Sequence, residues 1–333
     1  MQEPLAEFGR FVVVAAVLAT SAACGGGALA EPAGAPAAAV VDITATIGYK
    51  NESGAGTGIV LTSSGEILTN NHVIRGATRV RATDVSNGRS YAVTVVGYDV
   101  SADVAVLKLT GASGLKTISI GASSRTRVGE AVTALGNAQG IGGAPSAARG
   151  RVLALGTAIT SYDSDGTSER LKDMIETNAP TQAGDSGGPL VDSAGGVIGV
   201  NTAGSPRTER AWAIPIARAL AIATLIETGG LSATDHIGPT PLLGVAVATS
   251  QASPTPGNGV VVNLVLWGSP AQRAGVVVGD VLTTVAGRKI ASPAALVASL
   301  LHRAPHDSVA VSWLDPYGRP RHAYVRLGTG PSQ

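Results

Sequence analysis

The residues with the most evident chemical capacity are Gly184-Asp185-Ser186-Gly187-Gly188-Pro189-Leu190. A serine hydroxyl is a poor nucleophile until a base takes its proton and the charge that develops on the attacked carbonyl is stabilised nearby. Glycines on both sides let the backbone turn tightly, so successive N–H groups can converge on one point. Ser186 then reads as a nucleophile, with the Gly184 and Ser186 N–H groups as an oxyanion hole. The same composition also suits an ordinary turn between two strands, so a base and a group to orient it must come from elsewhere. Of the five histidines (His72, His236, His302, His306 and His322), only His72 falls in the strand-rich region around the serine. It stands at the end of a strand in Thr69-Asn70-Asn71-His72-Val73-Ile74, among small polar residues; a lone histidine is otherwise most simply a structural one. Asp103 stands directly before the apolar run Val104–Leu107. A carboxylate there is partly desolvated and needs a donor, which an imidazole N–H supplies. Asp84 and Asp99 read as turn residues.

The order of these residues separates two hydrolase folds. Gly184-Asp185-Ser186-Gly187-Gly188 also satisfies G-x-S-x-G, the nucleophile elbow of α/β-hydrolases, in which the acid and histidine follow the serine and the serine leads into a helix. Here His72 and Asp103 precede Ser186, and Pro189–Val200 reads as strand, turn and strand. The order His, Asp, Ser belongs to the chymotrypsin arrangement of two β-barrels with the site between them.

The elements that must position these residues are short apolar runs broken by turn residues. Val41–Tyr49, Gly58–Thr62, Ile67–Thr69, Arg79–Arg81, Tyr91–Val96 and Val104–Leu109 read as one set of strands, with turns at Asn51-Glu52-Ser53-Gly54, Ser63-Ser64-Gly65 and Ser86-Asn87-Gly88. Ala131–Leu135, Val152–Ser161, Met174–Thr177, Leu190–Val191 and Val197–Thr202 form a second set. Strands at this spacing, without regular helices between them, predict antiparallel barrels or a sandwich. One helix is expected over Ala217–Ile226, with Pro215 in its first turn and Gly229-Gly230 at its end.

These motifs together resemble the HtrA (DegP-like) trypsin-like serine proteases, most closely the exported actinobacterial members. The matching residues are Gly56-Thr57-Gly58, Thr69–Ile74, Asp103–Lys108, Gly184–Leu190, Val197–Thr202 and Ala213-Ile214-Pro215-Ile216, within 40–228. The resemblance implies His72 as general base, Asp103 as its orienter, Ser186 as nucleophile, and a mainly β fold with a chymotrypsin-like double barrel over 40–230. Pro180 and Thr181 fall at the specificity pocket, where trypsin itself carries an aspartate six residues before its serine. Without that counter-charge, small or medium aliphatic side chains are expected at the cleavage position. Most of the family have Asn before the serine, and this chain has Asp185. That carboxylate requires a donor other than a newly cleaved N-terminus, and the sequence does not identify it.

Residues 231–241 have linker composition, and a small α/β module is expected over 242–330. Strands at Leu243-Gly244-Val245 and Gly259–Leu266, a capped turn of helix in Gly268–Gly275, a strand at Gly279–Leu282, a helix from Ser292-Pro293, and strands at Val309–Trp313 and Tyr324–Leu327 resemble a PDZ domain. The resemblance implies a peptide added as an extra strand, with its C-terminal carboxylate on the backbone of Leu243, Gly244 and Val245. The alternative is a module that merely packs on the protease. Its histidines lack ligand spacing and read as surface residues.

Composition limits the remaining functions. A net charge of +1 over 333 residues, with no basic block, gives no footprint for nucleic acid. A single cysteine, Cys24, excludes an intrachain disulfide and a thiolate metal cluster; no cofactor or metal is expected. The apolar run Phe11–Ala19 suits an export signal over 1–30 better than a membrane span. Its processing alternatives are cleavage after Ala28-Leu29-Ala30, lipidation of Cys24 in Ser21-Ala22-Ala23-Cys24-Gly25, or an uncleaved membrane anchor. Residues 31–39 are expected to form a flexible lead-in. The partners implied are unfolded proteins or peptides at the protease, peptide C-termini at the PDZ domain, and, by family likeness, further copies of the chain. A catalytically silent chaperone or peptide-binding adaptor is the competing class.

Overall fold

The computed structural model describes residues 34–48, 51–162, 168–205, 207–230, 232–248 and 259–332. A single helical turn, α1 (Gly34–Ala37), leads into β1 (Val40–Ile47), β2 (Glu52–Val60) and β3 (Glu66–Thr69). A second short turn, α2 (Asn71–Ile74), precedes β4 (Arg79–Asp84), β5 (Ser90–Asp99) and β6 (Val104–Leu109). These strands pair in the order β5-β4-β1-β2-β3-β6, and a further β5–β6 pairing closes the ring. The next six strands form a second closed barrel: β7 (Ala131–Gly136), β8 (Ser146–Tyr162), β9 (Ser168–Thr177), β10 (Pro189–Asp192), β11 (Val197–Ser205) and β12 (Arg210–Pro215). Helix α3 (Ile216–Glu227) follows and ends beside Gly229, at φ +75°.

The core explains why β6 is apolar without alternation. Ala105, Leu107 and Leu109 face the interior of the first barrel. Val104 and Val106 face the other way, into a cluster with Leu135, Val200, Ile214 and the Ile216, Ala219 and Ala223 face of α3. A strand buried on both faces carries a continuous apolar run. That cluster joins the barrels and fixes Asp103, at the head of β6, against the second one.

The C-terminal part contains β13 (Asp235–Ile237), β14 (Thr240–Leu242), β15 (Val245–Ala248), β16 (Val260–Val265), α4 (Pro270–Arg273), β17 (Val281–Val285), β18 (Arg288–Lys289), α5 (Pro293–Leu300), β19 (Ser308–Leu314), β20 (Pro320–Arg326) and β21 (Gly328–Gly330). Its main sheet runs β15-β16-β17-β19-β20, with β15 at an edge. Both helices start as the sequence predicts. Ser269 Oγ accepts from the Gln272 N–H and Ser292 Oγ from the Ala295 N–H, each at 3.2 Å and each ahead of a proline.

Several expectations change. Glu52–Gly54 is not turn but the start of β2, paired with Ala45–Ile47; long cross-strand pairing overrides local turn chemistry there. Likewise β8 extends to Ser146 through its ladder with β7, and β9 extends to Ser168 through its ladder with β8. The expected lead-in contains a helical turn, and Ala39 is fully buried, its carbonyl accepting from the Val60 N–H at 2.9 Å. In the segment expected as linker, β13 adds to the edge of β5 and β14 pairs with β21. His302, His306 and His322 are exposed as expected, whereas His236 is buried on β13, with Nδ1 against the Leu301 carbonyl and Nε2 3.1 Å from that of Pro239. The export segment and Cys24 lie outside the described residues.

Candidate active site

The catalytic candidates come from both barrels. His72 sits in α2, one short helical turn beyond β3, rather than at the end of the strand itself. Asp103 heads β6 at φ +55°, a left-handed conformation that costs energy for a non-glycine residue and recurs at functional sites. Its own backbone is held there, since Asn70 Nδ2 donates to the Asp103 carbonyl at 2.8 Å. The Asp103 carboxylate grips His72 twice: Oδ1 accepts the His72 backbone N–H at 2.9 Å and Oδ2 meets Nδ1 at 2.8 Å. Thr202, on β11 of the second barrel, donates its hydroxyl to the same Oδ2.

Burial pushes the Asp103 carboxyl up, but the His72 charge, with hydrogen bonds from the His72 ring, the Thr202 hydroxyl and the His72 N–H, outweighs it and holds the group below the ordinary aspartate value. An ionised carboxylate fixed on Nδ1 sets the ring's orientation and tautomer, so proton exchange falls to Nε2.

Ser186 lies in the turn between β9 and β10, and its hydroxyl donates to the Thr202 carbonyl at 3.2 Å. Thr202 thus serves Asp103 with its side chain and Ser186 with its backbone. The turn is too tight for side chains: Gly184 and Gly187 have φ of +98° and +85°, and a Cβ on either would lie 2.1 Å from a backbone oxygen, of Asn137 and Thr57 respectively. The Ala183 carbonyl accepts the Gln139 N–H at 2.6 Å, so the trans peptide aims the Gly184 N–H the opposite way. Among the described residues, neither the Gly184 nor the Ser186 N–H meets an acceptor in the protein. Two unpartnered donors beside a serine hydroxyl are what an anion-binding concavity requires.

The donors to Asp185 were not legible in the sequence. They are the Gln182 N–H, 2.8 Å from Oδ2, and the Ser146 hydroxyl, 3.1 Å from Oδ1. Burial raises this carboxyl, with Gln182 and Ser146 lowering it in part. Asp42 on β1 is raised by burial in the same way, against a 3.0 Å bond from the Gly143 N–H. Sequence reasoning also missed Thr202 as a partner of Asp103; its place in Val197–Thr202 marked a strand, with nothing to distinguish the hydroxyl.

Of the two residues expected at the specificity pocket, Pro180 is exposed and Thr181 half-buried. Thr181 is pressed against β11, where a Cβ on Gly204 would lie 2.5 Å from Thr181 Oγ1. Thr181 and Gly204 are therefore in close contact, and neither carries a charge.

In the C-terminal domain, Gly244 turns at φ +88° against Ser269, and its carbonyl accepts the Leu266 N–H at 3.0 Å. Leu243, Gly244 and Val245 open the edge strand β15, beside a cavity of about 170 Å³ lined by Val247, Leu296 and Leu300. An edge strand next to an apolar groove is the geometry that accepts a peptide as an added strand. No group of residues with the makeup of a metal site occurs among the described residues.

Two barrels that contribute His and Asp from one and Ser from the other, followed by a domain with an open strand edge, define a trypsin-like peptidase joined to a PDZ domain. Residues 56–200 match the trypsin-like peptidase domain family and residues 261–313 the PDZ domain family. The chain is 35% identical over 309 residues to the serine protease PepD of Mycobacterium tuberculosis, covering 87% of this chain and 63% of PepD. It is 33% identical over 292 residues to the periplasmic pH-dependent serine endoprotease DegQ of Escherichia coli, covering 84% of this chain and 60% of DegQ. The solved structure of the HtrA-type protease AlgW with a tripeptide shares 30% identity and a TM-score of 0.51, over 89% of this chain and 95% of that one. The chain belongs to the HtrA-type serine proteases. It spans about six-tenths of the length of the curated relatives PepD and DegQ.

Proposed function

We propose that the protein is a serine endopeptidase that cleaves unfolded or misfolded polypeptides through an acyl-enzyme. The observation that carries this reading is the Asp103 carboxylate held below its ordinary pKa on His72 Nδ1, with Ser186 bonded to the same Thr202. In the reaction, the Ser186 hydroxyl rotates from the Thr202 carbonyl to His72 Nε2, which takes its proton as Oγ attacks the peptide carbonyl. The Gly184 and Ser186 N–H groups receive the oxyanion. His72, now an imidazolium stabilised by Asp103, protonates the leaving amine, and water repeats the sequence to release the acyl group. Each step conserves protons: the one leaving Ser186 departs on the amine, and the one leaving water returns to Ser186.

Pro180 and Thr181 form the wall of a small uncharged pocket for the residue before the cleaved bond. The PDZ domain takes peptide C-termini at Leu243, Gly244 and Val245, for recruitment or regulation. The periplasmic designation of relatives such as DegQ, with the apolar run near the N-terminus, supports export to the cell envelope or beyond. Assembly of several copies and membrane attachment through the N-terminal segment, with Cys24 as a lipidation site, extend the same reading. Light scattering tests the first, and detergent partitioning of wild type against Cys24→Ser the second.

The deciding experiment is labelling of Ser186 by a fluorophosphonate, with and without a PDZ-binding peptide, beside digestion of an unfolded protein. Label and digestion, both lost in Ser186→Ala while the fold is retained, are expected. Absence of label under both conditions would favour the peptide-binding adaptor instead.

A further inference from the structure

Thr57 lies in β2 on the first barrel and is fully buried, yet its N–H and its hydroxyl both reach the second barrel. Its hydroxyl donates to the Gly184 carbonyl at 2.7 Å and accepts the Asn137 N–H at 2.9 Å. Its backbone N–H donates to the Ser186 carbonyl at 2.8 Å. Its own carbonyl accepts the Thr69 hydroxyl at 2.7 Å, in the residue that ends β3 ahead of His72.

Asn137 opens the segment 137–143, and that segment holds the other peptide of the turn. The Gln139 N–H fixes the Ala183 carbonyl at 2.6 Å, and the segment is closed on itself by the Gly142 N–H bonded to Asn137 Oδ1 at 2.6 Å. Asp42, the residue directly opposite Thr57 across the β1–β2 ladder, anchors its far end through the Gly143 N–H. The two peptide planes that flank Gly184 are therefore fixed from one point: Gly184–Asp185 by the Thr57 hydroxyl itself, and Ala183–Gly184 through Asn137 and Gln139. A hydroxyl has one proton to donate, and Thr57 spends it on the turn while its lone pair holds the segment.

We propose that Thr57 is a positioning residue for the oxyanion hole, holding the Gly184 N–H in its productive direction by bridging the first barrel to both the nucleophile turn and the 137–143 segment. The inference rests on the reading of the Gly184 and Ser186 N–H groups as oxyanion donors. Thr57 touches neither substrate nor the reacting atoms; it acts on transition-state charge by keeping a donor pre-aimed, and a misdirected donor forfeits what that donor contributes, typically 10²–10³-fold in turnover.

The test is Thr57→Val, which keeps the shape and removes the hydroxyl, beside Thr57→Ser, which keeps the hydroxyl. Expected for the valine variant is a fall of about 10²-fold in kcat with little change in KM. It should also lose affinity for a peptide aldehyde, whose adduct with Ser186 carries the oxyanion, in the same proportion. Serine should restore both. A folded valine variant with wild-type kcat and aldehyde affinity, and only a lowered Tm, would overturn the assignment and make Thr57 structural. Where the valine variant does not fold, Thr57→Cys, a weak donor of similar size, replaces it: an intermediate loss in both readouts supports the proposal, and wild-type values overturn it. A wild-type protein that neither labels with fluorophosphonate nor digests protein overturns the hydrolase reading itself, and so is distinguishable from failure of the Thr57 role alone.

Discussion

The Ser146 hydroxyl donates to Asp185 Oδ1 at 3.1 Å, joining the strand after the 137–143 segment to the residue before the nucleophile. The same hydroxyl lies 3.0 Å from the Gly136 carbonyl, so a single proton faces two acceptors. An asparagine at 185 resolves that competition: its Nδ2 can donate to Ser146 Oγ, which then donates to Gly136, while its Oδ1 keeps the Gln182 N–H. Burial raises the Asp185 carboxyl in the folded protein. Its ionisation therefore weakens the fold as pH rises from the ordinary aspartate value through the raised one, and the loss persists above it. Asp185→Asn is expected to raise Tm at neutral pH by about 2–4 °C, to leave Tm unchanged near pH 3, and to retain activity. Thermal melts across pH check it; a lower Tm at pH 7 would count against this account of the pair.

Asp103 behaves in the opposite sense. Its carboxyl is held below the ordinary value in the fold, so the stability it contributes is present above that value and is lost as pH falls through the lowered one. Asp103→Asn should lower turnover by roughly 10⁴-fold, the cost of the wrong imidazole tautomer. It should also destabilise the protein at pH 7, with the gap to wild type closing below about pH 4. Chemical denaturation at pH 7 and pH 3 measures the gap directly.

Thr202 tests the same carboxylate from the other barrel. Thr202→Val removes the hydroxyl on Asp103 Oδ2 and leaves the carbonyl that accepts from Ser186. Turnover is expected to fall about tenfold, as for loss of a charge-assisted hydrogen bond of roughly 1.5 kcal/mol, with KM unchanged. A rise in KM with kcat intact would place Thr202 in substrate binding instead.

Gly244→Ala places a Cβ 2.2 Å from that of Ser269, at φ +88°. The Gly244 loop must shift, so, on the proposed peptide-binding role, affinity for a C-terminal peptide is expected to drop by at least about tenfold, since strain of this kind costs about 1–3 kcal/mol. Fluorescence anisotropy with a labelled peptide checks it, while basal labelling of Ser186 stays at the wild-type level.

The uncharged Pro180 and Thr181, with Thr181 pressed against Gly204, predict on the proposed specificity role cleavage after small or medium aliphatic residues. A peptide-library digest analysed by mass spectrometry reads this directly, and cleavage mainly after Arg or Lys would contradict it.

What the sequence determined by itself follows from periodicity and order. Apolar runs between glycine-rich turns specified two sets of strands, the unbroken run at Val104–Leu107 a buried strand, and the order His72, Asp103, Ser186 the two-barrel arrangement over the α/β-hydrolase one. The serine-proline pairs at 269 and 292 specified helix starts, because a cap acts within three residues of itself. Only the tertiary structure decided the donors to Asp185, the bridging of Asp103 and Ser186 by Thr202, and the contacts of Thr57 with Gly184, Ser186, Asn137 and Thr69. Apart from the Gln182 N–H, three residues from Asp185, each joins residues well separated in the chain through one hydroxyl or one peptide group, and such contacts leave no mark on local composition or repeat. The same physics extended β2 through an expected turn and made strands of the expected linker: ladder hydrogen bonds to distant partners outweigh the weak local preferences of Glu52–Gly54 and Asp235–Leu242.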